Sequence, residues 1–126
     1  MNWSPEREVP SLELCQQLKD AGFPQEGIWY WSKWADGSER WELFLAKDCG
    51  RDVLAPTVAQ MGEWLPNETC SVRRYVGNGS MWAVFDRNKN GAAMNSRTEA
   101  EGKAKWLIHL AEQKLINPKE LGKDGE

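Results

Sequence analysis

Three cysteines and one histidine are the side chains of this sequence best suited to nucleophilic or metal chemistry. They are Cys15, Cys49, Cys70 and His109. Nucleophilic catalysis needs a thiol with a base in reach, and none of the cysteines lies near the histidine in sequence. A structural zinc site usually takes its cysteines in close pairs, and no such pair occurs. We therefore expect no catalytic constellation, no metal site and no cofactor, with inert thiols and a histidine at the boundary of a helix.

The paired carboxylates and the glycine-rich stretch have structural explanations too. Glu99 and Glu101 follow Thr98 at the start of a predicted helix, where the helix dipole favours negative charge. Gly77 and Gly79 lack the third glycine and the following helix of a dinucleotide-binding fingerprint. The sequence therefore predicts a protein that is not an enzyme.

Composition bounds the remaining classes of function. The chain has 126 residues, 40% of them hydrophobic, and a net charge of -3, which suits one domain without a uniformly basic surface. A local basic patch for nucleic acid remains open. No apolar run approaches the ~20 residues of a membrane span, and residues 1–8 carry no apolar signal segment. Together with the odd number of cysteines, these features indicate a cytoplasmic protein with reduced thiols.

An aromatic β-hairpin over residues 27–45 is the element around which we expect the fold to be organised. Asp36-Gly37 supplies its turn, and the second arm alternates apolar and polar side chains. The first arm is aromatic on both faces, with Trp29 and Trp31 on one and Tyr30 and Trp34 on the other. At least one of these rings is therefore expected at the surface or in an interface.

The other predicted elements are three helices and a second hairpin. The apolar spacing predicts helices over 12–21 and 58–65 and a third that begins after Thr98 and ends at Asn117-Pro118. Strands are expected over 69–76 and 81–85, and loops over 47–54 and 87–96.

The fold class that follows is α+β, with element order α-β-β-α-β-β-α. We expect a single domain over 11–117, built as one four-stranded, mostly antiparallel sheet with the helices packed on one face. An extended arm over 1–10 precedes it, and a polar tail over 118–126 follows it.

Three segments of this layout are familiar in combination. They are Leu12–Phe23, Ala55-Pro56-Thr57 running to Glu63-Trp64-Leu65, and Glu99-Ala100 running to Leu115-Ile116. The arrangement resembles small, mostly uncharacterised proteins encoded in bacteriophage and prophage genomes. The resemblance implies a phage or prophage accessory protein that acts on a host component in the bacterial cytoplasm, and it supplies no catalytic residues.

Two binding surfaces are compatible with these observations. The first is a protein-contact surface on the aromatic hairpin, because tryptophan, tyrosine and arginine are enriched in contact hot spots. Its residues are Trp29, Tyr30, Trp31, Trp34 and Arg40. It would bind, and on this hypothesis inhibit, a bacterial host protein; the oligomeric state stays open.

The alternative surface is a basic and aromatic sheet face for single-stranded nucleic acid or a nucleotide. Its residues are Arg73, Arg74 and Tyr75, joined by Lys33 and Arg40 from the first hairpin. Bases stack on exposed aromatic rings of such faces. The structural explanation of the same residues is a solvated strand whose arginines pair with Glu39 or Glu42.

Overall fold

The computed structural model of the protein describes residues 8–77, 79–88 and 93–121. This part of the chain is an α+β fold with three α-helices and two three-stranded antiparallel sheets. The helices are α1 (Leu12–Asp20), α2 (Val58–Trp64) and α3 (Glu99–Glu112). The strands are β1 (Trp29–Lys33), β2 (Trp41–Leu45), β3 (Val53–Ala55), β4 (Thr69–Val76), β5 (Gly79–Asp86) and β6 (Met94–Ser96). Short 3-10 turns cover Ala46–Asp48 and Pro118–Glu120.

Each helix begins at a hydroxyl side chain that caps its first turn. The hydroxyl of Ser11 accepts from the backbone N–H of the third helical residue of α1 at 3.4 Å. Thr57 and Thr98 do the same for α2 and α3, each at 3.1 Å. A side-chain acceptor satisfies a backbone donor that has no partner within the helix. Helix α1 ends at Asp20, and Gly22 follows two residues later with a φ of 98°, in the left-handed region that glycine adopts without strain.

The first sheet has the strand order β2-β1-β3. Its aromatic hairpin forms as the sequence predicts, with Gly37 at φ 83° in the turn. The predicted loop over 47–54 is wrong in its last part, because Val53 and Leu54 belong to β3, which pairs with β1 on its other side. A strand of three residues, all buried, has no alternation that a sequence pattern could reveal.

The second sheet has the strand order β4-β5-β6, and its first two strands form the predicted second hairpin. The expected single four-stranded sheet is therefore wrong, because the two hairpins do not pair with each other and each acquires a short third strand. Strand β6 lies inside the predicted loop over 87–96 and pairs with β5 through Trp82 and Ser96.

One apolar cluster joins elements from both sheets and all three helices. Leu18 of α1, Leu54 of β3, Met61 of α2, Val84 of β5 and Leu107 of α3 lie in it, each no more than 1% exposed. A second cluster lies against the first sheet and contains Val9, Cys15, Val53 and Ala55. The first sheet therefore has apolar packing on both of its faces, not on one.

Helix α3 ends earlier than the apolar stripe predicts. Its last residue is Glu112, and Lys114 follows with φ 58°. Leu115 is 57% exposed, so it does not continue the buried stripe. Among the described residues, no helix is both long enough and apolar enough to cross a membrane.

The predicted terminal segments lie partly outside the described residues. This applies to 1–7 of the arm and to 122–126 of the tail. Within the described part, Val9 and Pro10 are buried. Pro118 is also buried, at the start of its 3-10 turn.

Candidate functional site

Tyr30, one of the predicted contact residues, lies in the core. Its ring is 2% exposed. Its hydroxyl donates to the carbonyl of Gln25 at 2.8 Å and accepts from the backbone N–H of Gly27 at 3.1 Å. Tyr30 pairs with Leu54 on the strand that the sequence does not predict, and its ring lies in the main apolar cluster. The placement of Tyr30 on a contact surface is therefore wrong.

Trp29 and Trp31 are half-buried on the opposite face of the first sheet. Both pack against the cluster that contains Val9 and Cys15. The indole N–H of Trp31 also donates to the carbonyl of Pro10 at 3.2 Å. These two rings therefore fix the segment before α1 onto the sheet, and only part of their surface remains open.

Trp34 lies just beyond the end of β1 and is exposed to 36%. The Arg40 guanidinium lies 4.4 Å from the centre of its ring. The ring of Phe44 meets it edge-on, with the centroids 5.7 Å apart. We call these three side chains the Trp34 patch. A backbone bond of 3.0 Å from the Trp34 N–H to the Arg40 carbonyl extends the hairpin ladder to this point.

The turn that carries the patch is held by its own side chains. The carboxylate of Asp36 accepts from the Ser38 hydroxyl at 2.6 Å and from the Ser38 backbone N–H at 2.9 Å. These bonds lower the pKa of Asp36, because they stabilise the charged form. Lys33 and Glu39 form an ion pair of 3.1 Å across the two arms. The turn that carries the Trp34 patch is therefore closed by hydrogen bonds and an ion pair of its own side chains.

Phe44 is the member of the patch that sequence reasoning missed. Its position shares a side of the sheet with Tyr30, because the two residues are cross-strand partners. The alternation of the second arm, with Leu43 and Leu45 on one side, is the signal that could have placed Phe44 with Trp34.

The alternative nucleic-acid residues lie on the second sheet. Tyr75 is 79% exposed, and the Arg73 guanidinium lies 5.5 Å from its ring centre. The Arg73 Nε donates to the Ser80 hydroxyl at 3.3 Å. Arg74 points to the other side of the sheet, because successive side chains alternate along a strand.

Two parts of the basic-face hypothesis are corrected by this placement. Lys33 and Arg40 lie at the first hairpin and not with Arg73, so the five predicted residues do not form one face. Lys33 pairs with Glu39, whereas no ion pair joins the arginines of β4 to Glu39 or Glu42 within the described part of the chain.

Two grooves are lined by polar side chains, and each contains both basic and acidic groups. One, of about 460 Å³, adjoins Arg73 and is lined by Trp82 and Arg97 together with Glu8 and Glu99. The other, of about 680 Å³, is lined by Gln16, Lys19, Asp20, Lys33, Trp41, Asp52 and Val53. In it the Lys19 ammonium donates to the carbonyl of Asp52 at 2.6 Å. Neither groove is lined by a cysteine or by the histidine.

The cysteines and the histidine are not assembled into a cluster. Cys15 is completely buried, and its thiol donates to the Pro10 carbonyl at 3.5 Å. Burial raises the pKa of this thiol to about 12, because the apolar surroundings disfavour a thiolate. Cys49 and Cys70 are free thiols of intermediate exposure, and His109 lies beside Trp106 with the rings 5.3 Å apart. Among the described residues no group could hold a metal ion.

Comparison of the chain with protein-family models, with curated proteins and with solved structures gives no significant match. The resemblance to phage-encoded proteins therefore remains a prediction. The argument for a binding surface at the Trp34 patch therefore depends on the geometry of its three residues.

Proposed function

We propose that this protein is a non-enzymatic binding protein that recognises another protein through the Trp34 patch. In the phage or prophage setting that the sequence resemblance implies, the partner is a bacterial host protein whose activity is blocked by the contact. The observation that carries the proposal is Trp34 itself, an exposed tryptophan held between an arginine and a phenylalanine.

The chemistry of the patch suits a contact hot spot. Trp34 and Arg40 belong to the residue types that dominate binding energy at protein interfaces. Arg40 has no ion-pair partner among the described residues, so its guanidinium remains able to bind a carboxylate or carbonyl of a partner. Because Phe44 already fixes the indole ring, binding loses little side-chain entropy.

The experiment is affinity capture from bacterial lysate with the tagged full-length chain, in nuclease-treated and untreated halves. Trp34→Ala is expected to remove a captured stoichiometric protein from both halves, since loss of a central hot spot costs ~2 kcal/mol or more. Leu115→Ala is the matched control, because it removes an exposed apolar side chain that belongs to neither candidate surface. Retention of the same protein by folded Trp34→Ala would refute the assignment.

A second candidate function rests on the pair of Arg73 and Tyr75. An exposed ring beside a guanidinium can stack a base and neutralise a phosphate. This function predicts that oligothymidylate binds the protein with an affinity that falls steeply with salt and that Tyr75→Ala abolishes binding. Unchanged fluorescence of the protein on titration with oligothymidylate at low salt would reject it.

A further inference from the structure

The outer edge of β4 pairs with no other strand among the described residues, and it carries exposed side chains. Strand β4 is terminal in the order β4-β5-β6. Its cross-strand pairs with β5 run from Thr69 with Asp86 to Val76 with Gly79. Val72 is 43% exposed and Tyr75 79% exposed, so no element of the described part of the chain covers the half of the strand near the hairpin turn.

The register shows which backbone groups of β4 face outward. Val76 and Gly79 close the hairpin, so bonds to β5 are made by every second residue counting back from Val76. Ser71, Arg73 and Tyr75 therefore direct their N–H and C=O groups away from β5. No backbone bond to another described segment uses these three N–H groups. A row of outward-facing N–H and C=O groups of this kind is a template for an added strand.

The two arginines determine which strand fits this edge. Arg73 and Arg74 point to opposite faces of the sheet, so they flank an added strand from both sides. Acidic residues at two adjacent positions of that strand would lie opposite them as cross-strand pairs. Val72, next along the edge, favours an apolar or β-branched residue opposite it.

Self-pairing of the edge with a second copy of this chain is disfavoured in the registers centred on its two arginines. In antiparallel pairing of β4 with itself, a two-fold axis at Arg73 or at Arg74 places two guanidinium groups directly opposite each other. Like charges at directly opposed positions are destabilising, and charged side chains on edge strands suppress such self-pairing.

Single-stranded nucleic acid also fits less well. A phosphate backbone that runs over one face could meet Arg73 or Arg74 but not both. From these observations we infer that the β4 edge binds an extended acidic segment of a partner protein by strand addition.

The test uses the full-length chain and a short peptide of alternating threonine and valine with two adjacent central glutamates. Amide hydrogen exchange should slow at Ser71, Arg73 and Tyr75 when the peptide is added. It should stay unchanged at Val72 and Arg74, whose N–H groups already bond to β5. The same peptide with lysines in place of the glutamates should bind at least about tenfold more weakly, because the cross-strand charge pairs become repulsive.

Charge reversal of the edge separates recognition from folding. Arg73→Glu combined with Arg74→Glu should weaken binding of the glutamate peptide at least about tenfold and strengthen binding of the lysine peptide. The matched control is Arg87→Glu, beyond the end of β5, with no effect on either peptide. The inference would be overturned by protection outside β4 or by equal binding of the two peptides. It would also be overturned if the chain dimerised through β4 and displaced the peptide, or if oligothymidylate alone protected these amides. Trp34→Ala should leave peptide binding unchanged, so the test is independent of the Trp34 patch.

Discussion

Tyr30 and Trp34 project on the same side of the first hairpin, yet one ring is buried and the other is open. The reason is their position along the hairpin. Tyr30 lies in the main apolar cluster, which contains residues of all three helices, whereas Trp34 lies beyond the end of β1 and outside that cluster. Aromatic residues on the same side of one hairpin therefore belong to the core or to the candidate site according to which part of the sheet is packed against the helices.

At the residue scale, the buried Tyr30 hydroxyl is expected to contribute to stability. Tyr30→Phe removes a donor to Gln25 and an acceptor for the Gly27 N–H. We expect the free energy of unfolding, measured by urea denaturation, to fall by about 1–3 kcal/mol, because two hydrogen bonds of a buried side chain are lost. Tyr75→Phe, at an exposed ring, should change it by less than about 0.5 kcal/mol. Equal effects of the two substitutions would contradict the placement of Tyr30.

The buried thiol of Cys15 makes a prediction about pH. Burial raises the pKa of Cys15 to about 12 from an ordinary value of 9.0, so above the ordinary value the unfolded chain releases a proton that the folded chain keeps. Its contribution to stability is full below that value and is lost as pH rises towards the folded-state pKa. Cys15→Ala should flatten the fall of stability between these pH values. Thiol reagents should modify Cys49 and Cys70 before Cys15 in the folded protein, and faster reaction of Cys15 would contradict its burial.

At the scale of elements, the sequence predicts the helix caps and the hairpin turn, which depend only on neighbouring residues. Ser11, Thr57 and Thr98 cap the three helices, and Gly37 forms the hairpin turn, because a few neighbouring residues decide these features. Strands β3 and β6 are not predicted because each has only three residues, too few to show an alternation. Strand β3 also pairs with β1 rather than with its neighbour in sequence. The separation into two sheets depends on that pairing as well, which no periodicity encodes.

The candidate site was predictable to a similar extent. Trp34 and Arg40 could be named from their types and their position near the hairpin turn. Tyr30 was assigned to the surface wrongly, and Phe44 was missed, since both depend on which part of the sheet is covered.

Gly102 tests the packing of α3 on the second sheet. A Cβ added at Gly102 would lie 2.8 Å from Val84 Cγ2. A Cβ added at Gly62 of α2 would lie 3.6 Å from its nearest neighbour, the Nζ of Lys103. Gly62→Ala should stabilise the protein by up to about 1 kcal/mol through helix propensity. Gly102→Ala should destabilise it by about 1–3 kcal/mol through overpacking.

Val84 provides the control for the packing at Gly102. In a Val84→Ala background the clashing methyl is gone, so Gly102→Ala should become neutral or stabilising. A double-mutant cycle on the urea midpoints measures this coupling. Additive effects of the two substitutions would show that α3 and β5 do not meet at this point.

At the scale of the whole molecule, one apolar cluster connects both sheets. Leu107 lies in it with no exposed surface. Leu107→Ala should therefore lower the free energy of unfolding by about 2–5 kcal/mol. Tryptophan fluorescence and far-ultraviolet circular dichroism should still report one coincident transition. Two separated transitions would show that the sheets unfold independently.

The arrangement of the molecule places its two proposed binding surfaces on different sheets. The Trp34 patch lies near the turn of the first hairpin, and the β4 edge lies at the border of the second sheet. Because the shared core holds both sheets, neither surface has to form on binding. Both are therefore available to partners in the unbound protein.

The most direct test of the central claim is capture of a partner from nuclease-treated lysate by wild-type protein and by Trp34→Ala. We predict that the wild type retains one stoichiometric protein and that the variant, with an unchanged circular dichroism spectrum, loses it. Capture of the same protein by both would contradict the assignment of the Trp34 patch as the binding surface.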